Sequence, residues 1–369
     1  MISAYDIAVV GGGIAGASLA AEAAAHARVL LLEAEDQPGY HATGRSAAFW
    51  SETYGGPGVQ PLTTASGPIL TDPPEELGGE SFLKPRGELF IGREGDTAAL
   101  DAFIAEFADT GVALERVDPH AMLPGLRPDW VQAVYEPTCM DIDVGRLHGA
   151  YLALARRRGV TIVTGAVLEA AAREGGGWAL HTRAGQFAAG VLVDAGGAWA
   201  DRVAEAAGVA AIGIAPLRRT MVQLRTDPGM AADLPLVRDG ADRFYFKPEA
   251  GGRVWLSPHD EVPDEPRDVA PEELDVAVAI DRFEGAVDWR VEAVERRWAG
   301  LRSFAPDRLP VYGFDPAAQG FFWFAGQGGF GIQTAPAAAS LAASLLTGTA
   351  TPDWLSDVDP VRYAPDRFR

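Results

Sequence analysis

The apolar and polar positions at the start of the chain predict one β-α-β unit. Tyr5 to Val10 is a short apolar strand, Ile14 to Ala25 is an alanine-rich helix, and Arg28 to Leu32 is a second apolar strand that ends at Glu33. Residues 34–46 then form a polar loop interrupted by glycine and proline. This order is typical of the first unit of a nucleotide-binding domain.

Two later segments have a different texture. Residues 51–140 and 216–299 contain short strands within loops rich in Gly and Pro. The first segment includes a predicted strand, Glu88 to Ile91, and a helix near Thr97 to Phe107, and the second includes a helix near Pro271 to Phe283. These segments are therefore predicted to form a domain that differs in architecture from the opening unit.

Between and after these segments the α/β pattern returns. Val144 to Arg158 is predicted to be a helix, followed by strands at Val160 to Val163 and Val191 to Val193. The chain ends with a strand, Phe321 to Ala325, and an alanine-rich helix near Ala335 to Leu346. Because segments of the nucleotide-binding type occur at the start, middle and end, the domain they form is predicted to be discontinuous.

A glycine motif at the first strand–helix junction indicates what kind of ligand this domain binds. In Gly11-x-Gly13-x-x-Gly16, the first glycine permits the tight turn, the second lets a pyrophosphate approach the backbone, and the third allows helix and strand to pack closely. Glu33, at the end of the next strand, can accept ribose hydroxyls. The predicted fold class is α/β, a discontinuous Rossmann-like dinucleotide-binding domain (1–50, 141–215 and 300–369) with a mixed-sheet α+β substrate domain (51–140 and 216–299).

The motif alone leaves NAD and FAD open, and two loops favour FAD. The glycine-broken loop 39–48 suits a buried flavin, with Thr43, Arg45 and Ser46 able to contact phosphate or ring. Residues 326–334 place several backbone N–H groups just before a helix, whose positive end stabilises the negative charge of a reduced flavin. The loops therefore predict a flavoprotein.

Composition and charge exclude several classes of protein. The 369 residues are 48% hydrophobic and 22% charged, as in globular proteins, and the formal net charge is −20. Nucleic acid and anionic membrane surfaces are therefore not expected partners, whereas an acidic field attracts small cations. The single cysteine, Cys139, excludes an internal disulfide, and the six histidines show no metal-ligand spacing. We find neither a signal peptide nor a membrane-spanning segment, so a cytoplasmic location is expected.

These motifs together resemble the D-amino acid oxidase superfamily of FAD-dependent oxidoreductases and, within it, the bacterial D-arginine dehydrogenases. Four features carry the resemblance: the opening glycine motif, Gly44-Arg45-Ser46-Ala47-Ala48, Gly300-Leu301-Arg302-Ser303-Phe304, and the glycine-rich run 326–331. Shorter matching stretches are Tyr40-His41, Arg218-Arg219, Phe244-Tyr245, Lys247-Pro248 and residues 331–334. The resemblance extends over essentially the whole chain.

The resemblance implies a noncovalently bound FAD roofed by a mixed β-sheet. It also implies the oxidation of an amino acid to an imino acid, which hydrolyses to a keto acid and ammonia. Electrons would then pass to a quinone or to oxygen. The residues implied to contact the cofactor are Gly11, Gly13, Ile14, Ala15, Gly16, Glu33, Ala34, Thr43, Gly44, Arg45, Ser46, Ala47, Ala48, Val167, Ala195, Gly196, Trp199, Gly300, Arg302, Gly328, Gly329, Phe330, Gly331, Ile332 and Gln333.

The same resemblance assigns the substrate contacts. Arg302, as a bidentate fork, and Arg219 would bind the substrate carboxylate, and Tyr54 and Tyr245 would hydrogen-bond the same end. The carbonyl oxygen of Gly329 would accept the amine. A planar guanidinium suits this task because two parallel N–H bonds fix the orientation of a carboxylate as well as its charge. No separate protein base is predicted.

Glu88 matches the position that binds a cationic substrate side chain in D-arginine dehydrogenases. Its alternative role is an ion pair with Arg86 or Lys84 nearby. Two departures from that branch concern the same pocket: Phe49 replaces a polar histidine, and Arg238 stands where the branch is apolar. The predicted activity is oxidation of D-amino acids with basic or broad specificity.

Other readings of the residues stay open at this level. Either Arg218 or Arg219 could face the site, His41 could attach FAD covalently, and Cys139 is expected to be a bystander. An oxidase of sarcosine, glycine or a cyclic imino acid is the second functional reading. A flavoprotein subunit or storage protein without turnover of its own is the third.

Overall fold

The computed structural model describes residues 4–368. Its strands are β1 Ala4–Val10, β2 Val29–Leu32, β3 Phe49–Trp50, β4 Leu83–Pro85, β5 Glu88–Arg93, β6 Glu115–Val117, β7 Trp130–Glu136, β8 Met140–Ile142, β9 Thr161–Val163, β10 Leu168–Glu174, β11 Gly177–Thr182, β12 Gly185–Asp194, β13 Ala215–Asp227, β14 Leu236–Asp239, β15 Tyr245–Glu249, β16 Arg253–Ser257, β17 Val262–Pro263, β18 Arg290–Phe304, β19 Val311–Phe314, β20 Phe321–Ala325 and β21 Gln327–Gly328. The helices are α1 Ile14–Ala23, α2 Gln60–Thr71, α3 Thr97–Glu106, α4 Pro119–Met122, α5 Val144–Arg157, α6 Ala200–Ala206, α7 Glu273–Glu284 and α8 Ala335–Thr347.

The first sheet has a parallel centre. β20, β12, β1, β2 and β9 run parallel, and β10, β11 and β19 extend the sheet with antiparallel pairs. Successive residues of β1 point to opposite faces: Ile7 and Val9 pack with α1, α5 and α8, whereas Ala8 and Val10 pack with α6. Apolar residues on both faces explain why β1 and β2 are continuous hydrophobic runs.

The second sheet is mixed and supplies the substrate domain. Its strand order is β21-β18-β13-β16-β15-β14-β5-β7-β6, and β5 and β14 are its parallel pair. Along β13, Val222 and Leu224 point into a core shared with α7, so Arg219 and Met221 point to the opposite face. That opposite face is the one turned toward the first domain, because a Cβ on Gly300, the residue that pairs with Arg219, would lie 3.2 Å from the Cβ of Arg45.

The predicted fold class is confirmed, with several elements added by the structure. The prediction omitted the two long strands β13 and β18, strands β7, β10 and β11 and helix α2, and it included only the last part of β12. The boundary proposed between residues 299 and 300 falls inside β18, whose whole length belongs to the second sheet. In β13 the consecutive residues Arg218 and Arg219 place charges on both faces, which interrupts the apolar–polar alternation typical of a strand.

None of the helices within residues 4–368 is long and apolar enough to cross a bilayer. Residues 1–3, which contributed to the expectation that no signal peptide is present, lie outside the described part of the chain.

Candidate cofactor and substrate sites

The glycine turn after β1 has the close contacts that its motif predicts. Gly11 has a φ of +108°, and a Cβ there would lie 2.4 Å from the carbonyl oxygen of Ala195. A Cβ on Gly16 would lie 1.8 Å from the carbonyl oxygen of Gly11. Gly13 differs, because a Cβ there would meet only the Thr43 hydroxyl, at 3.2 Å. Protein packing thus explains Gly11 and Gly16, whereas Gly13 suits the approach of a phosphate to the backbone.

Glu33 lies at the carboxyl end of β2, next to this turn. One of its carboxylate oxygens accepts a hydrogen bond from the Gly12 N–H (2.7 Å), and the other accepts one from the Glu35 N–H (2.8 Å). Each carboxylate oxygen can accept more than one hydrogen bond, so ribose hydroxyls can still bind. The structure therefore places the acid where the motif requires it.

A cavity of about 490 Å³ runs from the glycine turn to the 328–332 loop. It is long and reaches both domains, since β18 forms part of its wall. The predicted cofactor residues that line it are Gly11, Gly13, Ile14, Ala15, Glu33, Ala34, Thr43, Arg45, Ser46, Val167, Ala195, Gly196, Trp199, Gly300, Arg302, Gly328, Gly329, Gly331 and Ile332. Residues that were not predicted also line it, among them Arg202, Arg267 and Val269.

Six residues of the predicted set lie outside this lining. They are Gly16, Gly44, Ala47, Ala48, Phe330 and Gln333. Gly16 packs against Gly11, Ala47 belongs to an apolar cluster with Cys139, and Gln333 uses its amide to hydrogen-bond buried backbone and hydroxyl groups. These three residues therefore make contacts within the protein, and a motif match alone does not separate such residues from those that line the cavity.

Two residues of the predicted flavin loop already have protein partners. Arg45 forms an ion pair with Asp268 (2.5 Å) and donates to backbone carbonyls, so it joins the two domains. His41 lines the cavity, and its Nε2 lies 2.8 Å from Glu35.

The two candidate arginines lie on one face of the second sheet. Leu217 of β13 pairs with Arg302 of β18, which places Arg219, two residues further along, on the same face as Arg302. Arg219 donates to the Asp260 carbonyl (2.7 Å) and pairs with Glu261 (3.0 Å). Arg218 points to the opposite face, toward α7, where it pairs with Asp275, so Arg219 is the one of these two neighbours that shares a face with Arg302.

Arg302 is buried and differs from Arg218 and Arg219 in the groups that it contacts. Within residues 4–368 its guanidinium forms no ion pair with a carboxylate, although it is only 6% exposed and lines the cofactor cavity. Burial, with a further contribution from the Arg219 charge, lowers its pKa. A buried guanidinium without a protein carboxylate has donors available for an anion.

Tyr54 and Tyr245 complete this cluster. The Tyr54 hydroxyl packs so closely on Gly329 that a Cβ at Gly329 would lie 2.1 Å from it. The Tyr245 hydroxyl donates to the sulfur of Met221 at 3.2 Å, a weak acceptor that an oxygen ligand could replace. Burial raises the pKa of Tyr245, which keeps its hydroxyl a donor. Tyr54, Tyr245 and Arg219 thus all lie near enough to Arg302 to interact with its charge, and Arg302 itself lines the cavity.

A second cavity of about 470 Å³ lies beyond Tyr54. Phe304 and Phe330 line this second cavity. Arg302, two residues before Phe304, and Gly329, next to Phe330, line the first cavity, so the two cavities adjoin. Arg238 lines its wall. This geometry suits a substrate pocket that meets the cofactor at the Arg302 end.

Glu88 is fully buried and is paired with Arg238 rather than with Arg86 or Lys84. Nε of Arg238 lies 2.7 Å from a Glu88 carboxylate oxygen. The Arg238 guanidinium also lies over the ring of Tyr54, at 4.9 Å. Arg86 instead pairs with Asp141. The predicted cation-binding carboxylate is therefore already neutralised by a cation of the protein.

Another buried acid, Glu136, was not predicted. It lies directly opposite Glu88 in the pairing of β5 and β7. Burial and the Glu88 charge raise its pKa to about 7, against hydrogen bonds from residues 51–53 that lower it. The signal in the sequence was a glutamate at the end of the apolar stretch Trp130–Glu136, but only the sheet pairing shows what it faces.

Comparison with protein families identifies the family to which this chain belongs. The model of the family described as "DAO: FAD dependent oxidoreductase" matches residues 6–345. The chain belongs to this family. The comparison confirms the superfamily that the motifs predicted, and FAD is the cofactor; the D-arginine dehydrogenase branch is not singled out.

Individual relatives of this FAD-dependent oxidoreductase are distant. Glycine oxidase of Geobacillus kaustophilus is 24% identical over 94% of each chain, and its crystal structure superposes with a TM-score of 0.82. L-Proline dehydrogenase of P. horikoshii has a TM-score of 0.85 at 21% identity, covering 100% of this chain and 98% of that one. The match to FAD-dependent oxidoreductase domain-containing protein 1 of Xenopus laevis, 26% identical, spans 42% of this chain and 34% of the relative. At these identities the structural likeness shows the fold.

The residues present fit FAD. Gly13 leaves the backbone open for the pyrophosphate at the start of α1, Glu33 can hold a ribose, and the 328–332 loop lies just before α8. Thr43 accepts a hydrogen bond from the Ile14 N–H (3.0 Å) and so fixes the loop against the helix start. The glycine turn and Glu33 thus offer groups for the pyrophosphate and a ribose, and the 328–332 loop offers backbone groups for the flavin ring.

Proposed function

We propose that this FAD-dependent oxidoreductase oxidises an amine that carries a carboxylate, by removing a hydride from the α carbon. The first candidate substrate is a D-amino acid with an uncharged side chain. When bound, FAD supplies the two-electron acceptor. The observation that carries the proposal is Arg302, a buried guanidinium that lines the cofactor cavity without a carboxylate partner in the described part of the chain. An amino acid would bring that carboxylate.

Arg302, rather than Arg219, is proposed as the main carboxylate anchor. Arg219 already pairs with Glu261, so a second carboxylate there would compete with a bound one. Arg219 would then contribute its positive field, while the hydroxyls of Tyr54 and Tyr245 would donate to the same carboxylate. A fixed carboxylate sets the direction of the Cα–H bond, which is the main contribution a protein can make when the cofactor performs the chemistry.

The amine end is proposed to lie at the 328–330 loop. The Gly329 carbonyl would accept an N–H of the substrate, and the Tyr54 ring closes this end from the second cavity. Water exclusion at this point favours the neutral amine, the form from which a hydride can leave. No protein base is assigned.

An uncharged side chain is favoured by the Arg238–Glu88 pair. A basic substrate would need a free carboxylate, and Glu88 is fully buried and paired. The Arg238 guanidinium faces the second cavity among the rings of Phe49, Tyr54 and Phe90. A cationic side chain would meet this like charge, which disfavours D-Arg and D-Lys.

Glycine, sarcosine or a cyclic imino acid is the second candidate class. The Arg238 charge at the side-chain end does not act against this class, because small substrates need only Arg302 and the amine site. The names of glycine oxidase and L-proline dehydrogenase among the relatives are consistent with that class.

The first experiment is anaerobic reduction of the FAD-loaded protein by a panel of amino acids, followed through the loss of flavin absorbance. D-Leu and D-Met, or glycine, sarcosine and L-Pro, should reduce the flavin faster than D-Arg, and the faster group identifies the class. If no carboxylate-bearing amine reduces the flavin, the proposal is wrong. Faster reduction by D-Arg would show that Glu88 is accessible to substrate.

The second experiment is Arg302→Ala. Loss of a charged, bidentate contact in a desolvated site should cost about 2–5 kcal/mol of transition-state stabilisation in kcat/KM while FAD content is retained. Arg218→Ala is the matched control, because Arg218, on the neighbouring strand β13, is also a buried arginine but pairs with Asp264, Glu272 and Asp275 on the far face. A value for Arg302→Ala within about threefold of wild type would place the carboxylate anchor elsewhere.

A further inference from the structure

A buried carboxylate behind the substrate pocket holds the segment that carries Tyr54. Glu136 accepts hydrogen bonds from the Ser51 hydroxyl (3.0 Å), the Glu52 N–H (2.7 Å) and the Thr53 hydroxyl (2.6 Å). Its side chain is completely buried at the end of β7. Three donors from three consecutive residues bind one carboxylate, so the backbone of residues 51–53 is fixed to the second sheet.

The same segment is held from the other side by the loop before α8. The Gln333 amide accepts from the Ser51 N–H (3.2 Å) and donates to the Tyr54 carbonyl (3.0 Å). The Tyr54 hydroxyl then packs on Gly329. Residues 51–54 therefore connect the sheet, through Glu136, to the loop that lines the cofactor cavity.

The charged groups that face Glu136 come from every element packed around it. Glu88 lies opposite Glu136 on β5, and the positive charge of Arg238 on β14 attracts both acids. The Thr138 hydroxyl lies within hydrogen-bond distance of both Glu52 and Glu136. Cys139 is buried nearby with its pKa raised, so it stays a neutral thiol. An apolar residue here would leave the Glu52 N–H and two hydroxyls without their acceptor, whereas the carboxylate satisfies all three at the cost of desolvation beside another carboxylate.

We propose that Glu136 is a positioning residue of the substrate pocket, which acts through its hydrogen bonds to residues 51–53 to fix Tyr54 against Gly329 and Arg238. This inference rests on the proposed function, since it takes the Tyr54 end as the substrate site. The Arg238 guanidinium lies over the Tyr54 ring, so displacement of residues 51–53 would move both groups.

The hydrogen bonds between Glu136 and residues 51–53 are tested first by hydrogen exchange of the FAD-loaded protein. In Glu136→Leu, peptides spanning residues 51–56 should exchange about tenfold faster or more, because three hydrogen bonds to the Glu136 carboxyl group are lost. Glu136→Gln keeps the shape and one acceptor oxygen, so its increase should be smaller. Asp315→Asn is the control, because Asp315 is a buried acid that binds the Trp323 indole in the first domain. Unchanged exchange in both Glu136 variants would overturn the proposal.

The effect on the pocket is measured by binding of acetate, an unreactive carboxylate, through its perturbation of the flavin spectrum. Glu136→Leu should weaken acetate binding and raise KM about tenfold with a smaller change in kcat, and Glu136→Gln should restore part of both. Faster exchange with unchanged acetate affinity would overturn the positioning role. If Glu136→Leu does not fold, Glu136→Gln decides both measurements.

Failure of this inference is distinguishable from failure of the proposed function. The amino acid panel tests the reaction on the wild-type protein alone. Exchange and acetate binding test Glu136 without turnover. A panel without any reduction together with the expected exchange and acetate results would reject the reaction and keep the positioning role.

Discussion

Replacement of Arg238 by methionine tests the reading of the side-chain end of the pocket. Methionine keeps most of the volume of the arginine stem and removes the charge. Arg238 is buried, and its guanidinium lies 2.7 Å from Glu88, which is fully buried. The variant therefore leaves a buried carboxylate without its cation.

The magnitude follows from the cost of that unpaired charge. Breaking a buried pair by removing one partner costs about 3–5 kcal/mol, or on the order of 10 °C in Tm for a chain of this size. Burial already raises the pKa of Glu88 against the opposing Arg238 charge, so loss of Arg238 raises it further. An acid with a raised pKa in the folded state contributes stability at low pH and loses it as pH rises through that pKa. The Tm deficit of the variant should therefore be larger at pH 8 than at pH 5.

The same change should alter substrate preference. A basic side chain could supply the missing cation, and a charge-assisted pair of this kind contributes roughly 1.5–3 kcal/mol, or one to two decades in kcat/KM for D-Arg relative to D-Leu. Arg218→Met is the control, since it also removes a buried arginine but one that pairs on the far face of the sheet. The assay is flavin reduction at pH 8 with both substrates, beside thermal melts across pH.

Two results would refute this reasoning. A Tm deficit that does not grow with pH would show that Glu88 is not the group left unpaired. An unchanged ratio of D-Arg to D-Leu, together with the expected pH dependence, would show that the pair is structural and that the substrate side chain lies elsewhere.

Two further predictions concern the cofactor. Denaturation should release intact FAD from the precipitated polypeptide, because the attachment is predicted to be noncovalent; flavin that stays with the chain would point to His41. Gly13→Ala should weaken FAD binding by tenfold or more, about 1.4 kcal/mol, with little loss of apoprotein stability, since its Cβ meets only Thr43. Gly16→Ala, whose Cβ would collide with the Gly11 carbonyl, should unfold the domain instead, and equal stability of the two variants would contradict this assignment.

The sequence by itself determined the local chemistry of the cofactor domain. Strand, glycine turn, helix and acid are contiguous between residues 5 and 33, so the spacing of Gly11, Gly13, Gly16 and Glu33 is enough to predict the turn. The turn could be predicted because its conformation depends mainly on residues that are neighbours in sequence. Arg302 and Gly329 could be proposed for a different reason, since each lies within a local motif that resembles a family.

The tertiary structure decided the substrate end, because its contacts join residues far apart in sequence. Glu88 lies 150 positions before Arg238, yet the parallel pairing of β5 and β14 brings the two side chains to one face of the sheet. Glu136 reaches residues 51–53 in the same way, across 85 positions from Ser51. A local pattern shows that a glutamate is present, whereas sheet register decides which charge it meets, and that partner determines whether Glu88 can bind a substrate.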